Sequence, residues 1–289
     1  MKKPLVGALF AVLLLGAGAA PAAAETLDRP APHPVVKAVK PQPAVKAVDF
    51  AGTVALSNCS GSVVRVASSK PTDPALVLSN GHCLESGFPA PGQVVVDKPS
   101  TRTFTLLNAS GGNAGTLKAS KIAYGTMTDT DASLYQLTST YAQIESSYQI
   151  KALELSAARP AQGGAITVVS GYWKRTYSCA VDGFAYRIKE GAWTWKDSVR
   201  YTPACKTIGG TSGSPVIDNA TGKVVAVNNT GNESGGRCTD NNPCEVDETG
   251  NVTVRKGINY AQQTYTIVPC VGAGNKIDLG RPGCTLPKP

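Results

Sequence analysis

Apolar and polar residues along this chain fall into short runs rather than long stripes. Segments rich in Val, Ile, Thr and Tyr recur at 62–67, 75–79, 93–96, 102–107, 132–137, 165–172, 180–187 and 193–201, and again at 215–218, 223–228, 251–254 and 258–268. Clusters of Gly, Pro, Asn, Asp and Ser separate them. β-Branched and aromatic side chains suit a pleated, half-buried surface, and the intervening residues are those that tight turns require. Each run is therefore predicted to be a strand, and only 141–155 carries the spacing of a helical turn or two. So many strands with so little helix argue for an all-β fold rather than alternating βαβ units. Two packed six-stranded barrels use the count well, although a propeller or a jelly roll would use it too.

The first fifty residues break this pattern. Met1-Lys2-Lys3 is followed by an apolar stretch from Leu5 to Leu15 and then by Ala20-Pro21-Ala22-Ala23-Ala24. A charged start, a short apolar middle and a small-residue cleavage site make an export signal, here residues 1–24. Gly, Ala and Pro dilute the stretch after Leu15, which leaves it short of the roughly 20 apolar residues a span needs. No later stretch is long and apolar enough either, so a secreted, extracellular protein with no membrane span is expected. Residues 25–50, with Pro30, Pro32, Pro34, Pro41 and Pro43 between Ala, Val and Lys, read as an extended linker or pro-segment. Residues 51–289 remain as the folded domain, long enough to bury a sizeable core.

Charge and cysteine usage narrow the picture. The formal net charge is +8, of which Lys2 and Lys3 leave with the signal. The remaining Lys and Arg residues are scattered, with no dense run beside aromatics, so a nucleic-acid partner is not indicated. All eight cysteines lie in the body, and an even number in an exported chain implies disulfides. With no CxxC and only two histidines, no metal and no cofactor are expected. Pairing of sequence neighbours is the simplest arrangement: Cys59–Cys83, Cys179–Cys205, Cys238–Cys244 and Cys270–Cys284.

Three patches carry candidate chemistry. In Gly209-Gly210-Thr211-Ser212-Gly213-Ser214-Pro215 a serine stands among small residues on a tight turn. Such a setting lets backbone N–H groups come within hydrogen-bond range of a reacting carbonyl oxygen, and Ser212 or Ser214 would serve. The only histidine of the body, His82, lies in Ser79-Asn80-Gly81-His82-Cys83 where an apolar strand ends, and is the sole imidazole available as a base. Asp131 directly precedes the strand at 132–137, where a carboxylate is able to orient an imidazole, while Asp129 lies out in the turn.

Taken in chain order, these patches resemble the three motifs of the trypsin/chymotrypsin-fold serine peptidases, in particular the secreted bacterial kind that includes the glutamyl endopeptidases. Ser79-Asn80-Gly81-His82-Cys83 resembles the histidine motif, Asp131-Ala132-Ser133-Leu134-Tyr135 the aspartate motif and Gly210-Thr211-Ser212-Gly213-Ser214-Pro215 the serine motif. Asn58-Cys59-Ser60-Gly61-Ser62 resembles the strand that carries the histidine's disulfide partner. The resemblance covers residues 54–268. It implies two packed six-stranded antiparallel β-barrels of the chymotrypsin-like type, and a monomeric secreted serine endopeptidase acting on polypeptides. It makes Ser212 the nucleophile, with Ser214 its packing neighbour, His82 the base and then the acid, and Asp131 the orienting group. The N–H groups of Gly210 and Ser212 become the oxyanion hole.

By the same resemblance Asn229, Thr230, Gly231 and Gly257 bound the primary substrate pocket, with Lys206 near its base. A cation there would turn away Arg or Lys and favour an acidic side chain. Asn228 holds the place of the histidine of the glutamyl endopeptidases, and Thr211 that of the acid which, in the trypsin branch, pairs with a freshly cut N-terminus. Trp173, Trp193, Trp195 and the loop 231–250 match no motif, and the tryptophans are expected mainly to pack. A catalytically inactive relative acting as a secreted binding or adhesion module is the alternative. An esterase is disfavoured, because its Gly-x-Ser-x-Gly elbow precedes the acid and the histidine, whereas here Gly210-Thr211-Ser212-Gly213-Ser214 comes last and ends in Ser.

Overall fold

The computed structural model describes residues 47–289; the signal at 1–24 and the Pro-rich segment up to residue 46 lie outside the described residues. Seven strands come first: β1 (Thr53–Ala55), β2 (Ser60–Arg65), β3 (Pro74–Ser79), β4 (Val94–Pro99), β5 (Thr103–Leu107), β6 (Asn113–Thr126) and β7 (Ala132–Thr140). They pair in the order β1-β5-β6-β7-β3-β2, and β1 pairs with β2 to close a six-stranded antiparallel barrel, with β4 laid on β6. A short helix, α1 (Tyr141–Tyr148), starts on a reciprocal cap between Thr140 and Gln143. It leads to β8 (Leu153–Glu154), which runs parallel to β2.

The second half contributes β9 (Ala165–Ser170), β10 (Arg175–Glu190), β11 (Trp193–Tyr201), β12 (Pro215–Asp218), β13 (Val224–Gly231), β14 (Cys244–Val246), β15 (Val252–Val254) and β16 (Asn259–Gln263). Here the ring is β10-β11-β16-β13-β12-β9, closed by the pairing of β9 with β10, and β14 and β15 extend outward from β10. The fold is all-β and chymotrypsin-like.

Several elements depart from the sequence expectation. The longest strand of the first barrel, β6, was not anticipated, nor were β1, β8 and β14. The run at 258–268 ends as a strand at Gln263 and turns into a short 3-10 segment, Val268–Cys270. Val48 and Phe50 pack against the core, so the folded body starts slightly ahead of residue 51.

Strand β3 explains how the barrels are joined. Its run Ala75-Leu76-Val77-Leu78 is apolar without alternation because both of its faces are covered. Ala75 and Val77 point into the first barrel with Val63, Phe104, Leu117 and Tyr135. Leu76 and Leu78 point the other way, onto Tyr124 and Leu134 of the same barrel and onto Val169, Ile217 and Val227 of the second. Each such leucine contributes about 1.5–3 kcal/mol of burial, and together they form an aliphatic seam between the barrels. The second barrel has its own interior of Ile166, Val168, Val199, Tyr201 and Val216.

Four disulfides join Cys59 to Cys83, Cys179 to Cys205, Cys238 to Cys244 and Cys270 to Cys284. The last secures a C-terminal strap that returns to the first barrel, where Tyr124 donates to the Pro287 carbonyl at 3.1 Å and Leu286 packs on the seam. Among the described residues no helix is long and apolar enough to cross a membrane.

Candidate active site

The mouth of the seam gathers the three motifs. His82 sits in a 3-10 turn, Gly81–Cys83, directly after β3, and the Cys59–Cys83 bond ties this turn to the start of β2. With their sulfurs joined, Cys59 and Cys83 offer no thiolate to a metal beside His82. Glycine is required at position 81, since a Cβ there would meet the Thr126 carbonyl oxygen at 2.0 Å. The turn thereby lies close on the end of β6 and within reach of Asp131, which is fully buried at the entrance to β7. The Asp131 carboxylate accepts from His82 twice, from its backbone N–H at 3.0 Å and from Nδ1 at 2.6 Å. Fixing Nδ1–H in this way leaves Nε2 as the acceptor nitrogen of the neutral ring. Asp129 is turned away and pairs with Lys196 at 2.7 Å.

The serine loop comes from the other barrel, between β11 and β12. Gly213 has φ +79° and lies so close to the first barrel that a Cβ would meet the Ser60 carbonyl oxygen at 2.1 Å and Ser79 Oγ at 2.3 Å. The Ser212 carbonyl accepts from Ser60 N–H at 2.7 Å, which seats the loop against β2. Ser214 is wholly buried and donates to the Thr211 carbonyl at 2.6 Å, whereas Ser212 lines the cleft with His82 and donates to the Asn229 carbonyl at 3.2 Å. Thr211 needs no ionic partner: its hydroxyl donates to the Ile208 carbonyl and accepts from Asn228 Nδ2 at 3.1 Å, while Asn228 Oδ1 accepts from the Tyr201 hydroxyl.

Next to the serine, the Gly209 carbonyl accepts from Trp173 Nε1 at 2.8 Å. In a trans peptide the N–H points opposite to the C=O, so this bond turns the Gly210 N–H away from Trp173. Among the described residues, neither the Gly210 nor the Ser212 N–H donates to a protein acceptor. Trp173 is half-exposed, so it is a clamp on this loop rather than a packing residue. Trp195 is buried and donates to the Met127 carbonyl, and Trp193 donates to the Pro89 carbonyl at 3.0 Å. These two bonds carry the tip of the β10–β11 hairpin over the first barrel, where Phe88 lies edge-on to both His82 and Trp193.

The cleft encloses about 320 Å³ and is lined by His82, Ser212, Asn229, Thr230 and Gly231 among others. Lys206 and Gly257, expected in the pocket, are exposed and do not line it. The Cys179–Cys205 bond anchors the segment at Cys205, and the next residue points outward. The wall carries Glu190 instead, from the end of β10, which no sequence motif marked.

Residues 59–227, well over half the chain, match the trypsin-like peptidase domain. The chain belongs to the trypsin-like peptidase family. Among solved structures, this trypsin-like peptidase is similar to the active form of the Rv3671c protease from M. tuberculosis (14% identity, TM-score 0.48, covering 92% of this chain and 97% of that one). It is also similar to the MamO protease domain from Magnetospirillum magneticum (15%, 0.46, 76% and 95%) and to a Glu endopeptidase in complex with MPD (12%, 0.42, 74% and 85%). No curated protein matches the sequence. The matched span takes in all three motifs, from Cys59 ahead of His82 to Val227 beyond Ser212.

Proposed function

We propose that this trypsin-like peptidase is a secreted serine endopeptidase that hydrolyses polypeptides through an acyl-enzyme on Ser212. The observation that carries this reading is His82, paired with Asp131 at 2.6 Å, facing the same cleft as Ser212, where among the described residues the Gly210 and Ser212 N–H groups have no protein partner. Ser212 Oγ attacks the scissile carbonyl, and His82 Nε2 takes its proton and returns it to the leaving amine. Asp131 holds the imidazole and favours the cation that forms, and the Gly210 and Ser212 N–H groups receive the oxyanion. Water then releases the acyl group by the same steps in reverse. The hydrogen bonds already made by Thr211 argue that no newly cut N-terminus is needed to set the loop. Four disulfides support residence in an oxidising, extracytoplasmic compartment. The test is labelling of the purified chain by a fluorophosphonate together with cleavage of casein. A folded protein that neither takes the label nor cuts casein would be a binding module on a peptidase scaffold.

Two further outcomes are expected. Burial lowers the His82 pKa, but the Asp131 carboxylate, by charge and by hydrogen bond, and Glu190 beyond it raise it more, so it lies above the ordinary 6.5. Because the base must be neutral, kcat/KM is expected to fall as pH drops through a value above 6.5. A pH–rate profile whose acid limb lies below that value would contradict the assignment. Trp173→Phe removes only the Nε1 donor to Gly209 and is expected to lower kcat by less than the roughly 10²–10³-fold that loss of a whole oxyanion donor costs, with KM little changed. An effect confined to KM would place Trp173 in substrate binding instead.

A further inference from the structure

The turn between β9 and β10 holds two aromatic rings in solvent on a backbone anchored to the first barrel. Tyr172 is 41% and Trp173 49% exposed, and the rings meet edge-on with centroids 5.0 Å apart. Beneath them the Tyr172 N–H donates to Ser60 Oγ of β2 at 3.1 Å, and the Trp173 N–H donates to Ser170 Oγ, which shares a hydrogen bond with the same Ser60 hydroxyl. Lys174 Nζ donates at 3.0 Å to Asn113 Oδ1 at the start of β6, and Gly171 lies so close to β1 that a Cβ would meet the Val54 carbonyl oxygen at 2.3 Å. Rings ordered in advance lose little further freedom when a ligand covers them. Tyrosine and tryptophan so presented are the side chains on which contact surfaces concentrate their binding. Their place points to the ligand. A Cβ on Gly210 would meet Tyr172 Cδ1 and Trp173 Nε1, each at 3.0 Å, so both rings border the peptide that carries the Gly210 N–H. Gly209 lines the cleft with Asn229, Thr230 and Gly231, whereas Tyr172 and Trp173 do not. The rings form a shelf outside the cleft, across the Gly209–Gly210 segment from it.

Resting on the peptidase reading above, we infer that Tyr172, backed by Trp173, is a subsite for an aromatic side chain of the polypeptide substrate, at the first or second residue beyond the scissile bond. With the scissile oxygen at the Gly210 and Ser212 N–H groups and the acyl side of the chain in the cleft, the leaving side crosses Gly210 and meets the shelf. An aromatic ring gains most there, because it packs on Tyr172 in the offset or edge-to-face manner that rings prefer and covers apolar area on both side chains. A methyl side chain at the same position reaches neither ring face to that extent.

The test is acyl transfer. p-Nitrophenyl acetate passes its acetyl group to Ser212 Oγ with release of p-nitrophenol, and an added amine then competes with water for that group. The amine nitrogen bonds to the acetyl carbon, the ester bond to Ser212 Oγ breaks, and His82 carries the proton from the nitrogen to the serine oxygen. Phe amide and Ala amide probe the first position, Ala-Phe amide and Ala-Ala amide the second. At one of the two, the Phe amine is expected to take the acetyl group about 3- to 10-fold more often than its Ala counterpart at equal free-amine concentration, and Tyr172→Ala is expected to remove most of that preference. Equal transfer at both positions, or a preference for Phe that survives Tyr172→Ala, overturns the inference. A second measurement needs neither turnover nor a change at position 172. The chain has three tryptophans, so the ¹⁵N spectrum of the Ser212→Ala chain contains three indole signals, and that of Trp173 is the one lost when Trp173→Phe is added. The Phe amines are expected to move the Trp173 signal further than the Ala amines do. A shift confined to Trp193 would put the ligand beside Phe88 and overturns the inference. A Trp173 shift without acetyl transfer removes the peptidase reading and leaves the site, and acetyl transfer or hydrolysis without a preference for Phe removes the site alone.

Discussion

Ser212→Ala is expected to abolish fluorophosphonate labelling and to lower peptide hydrolysis by about 10⁶-fold. The loss is that large because, in the proposed mechanism, the serine, the imidazole and the carboxylate act as one unit. For the same reason His82→Ala should cost about as much, and combining the two should cost little more than either. The neighbouring serine is the internal control. Ser214 is fully buried with its hydroxyl committed to the Thr211 carbonyl, which also accepts from the Ser214 N–H and Asn228 Nδ2, so Ser214→Ala is expected to cost only about 0.5–1.5 kcal/mol of stability through the lost hydrogen bond while the label is retained. Active-site titration of the two variants separates them. Label retained by Ser212→Ala and lost from Ser214→Ala would reverse the assignment of the nucleophile.

Asn80→Ala is expected to damage both stability and turnover, although Asn80 performs no chemistry. Its side chain is wholly buried and spans the two halves of the site. Nδ2 donates to the Asp131 carbonyl at 2.8 Å, and Oδ1 accepts from the Gly213 N–H at 2.5 Å. Its own carbonyl accepts from Ser133 Oγ at 2.7 Å. Truncation takes the Asn80 donor from Asp131 and leaves Gly213 N–H with the Asn228 carbonyl alone. The cost should be about 2–4 kcal/mol, lowering the melting temperature by roughly 5–15 °C. Turnover should fall with it, because the serine loop and the carboxylate lose their common anchor. Thermal unfolding and kcat measured on one preparation decide this. An unchanged melting point would mean that the anchor lies elsewhere.

Much of the candidate site was legible because its motifs are local. His82, Asp131 and Ser212 each sit in a run of four or five residues whose small and apolar neighbours follow from how closely the backbone must approach, as the contacts around Gly81 and Gly213 demonstrate. What escaped depends on long-range geometry. Strand β6 alternates buried Leu117 and Ala119 with exposed Thr116, Lys118 and Ser120, so a period of two is present. Its Gly, Ala and Lys residues nevertheless lack the β-branched signature, and register with β5 and β7 supplies what propensity does not. Conversely, 258–268 reads as one apolar strand, but at Thr264 the chain turns to bond with β13, where its N–H donates to the Val225 carbonyl. Lys206 was expected to point inward from its distance to the serine. The Cys179–Cys205 bond sets the direction of that segment instead. Glu190 and Trp173 match no motif, because Glu190 reaches the cleft only through the length of the β10–β11 hairpin and Trp173 reaches the Gly209 carbonyl only through the turn between β9 and β10.

The seam of Leu76, Leu78, Val169, Ile217 and Val227 has a consequence beyond holding the fold together. On the proposed assignment, His82 rides on one barrel and Ser212 on the other, so neither half would own a complete reaction centre. A slide of about 1 Å along that greasy joint would leave every strand paired, yet a misplacement of that size costs on the order of 10²-fold in rate. Gentle heating, pressure or a denaturant that merely loosens the joint should therefore silence the protein before it melts, with activity vanishing while β-sheet content still reads as native.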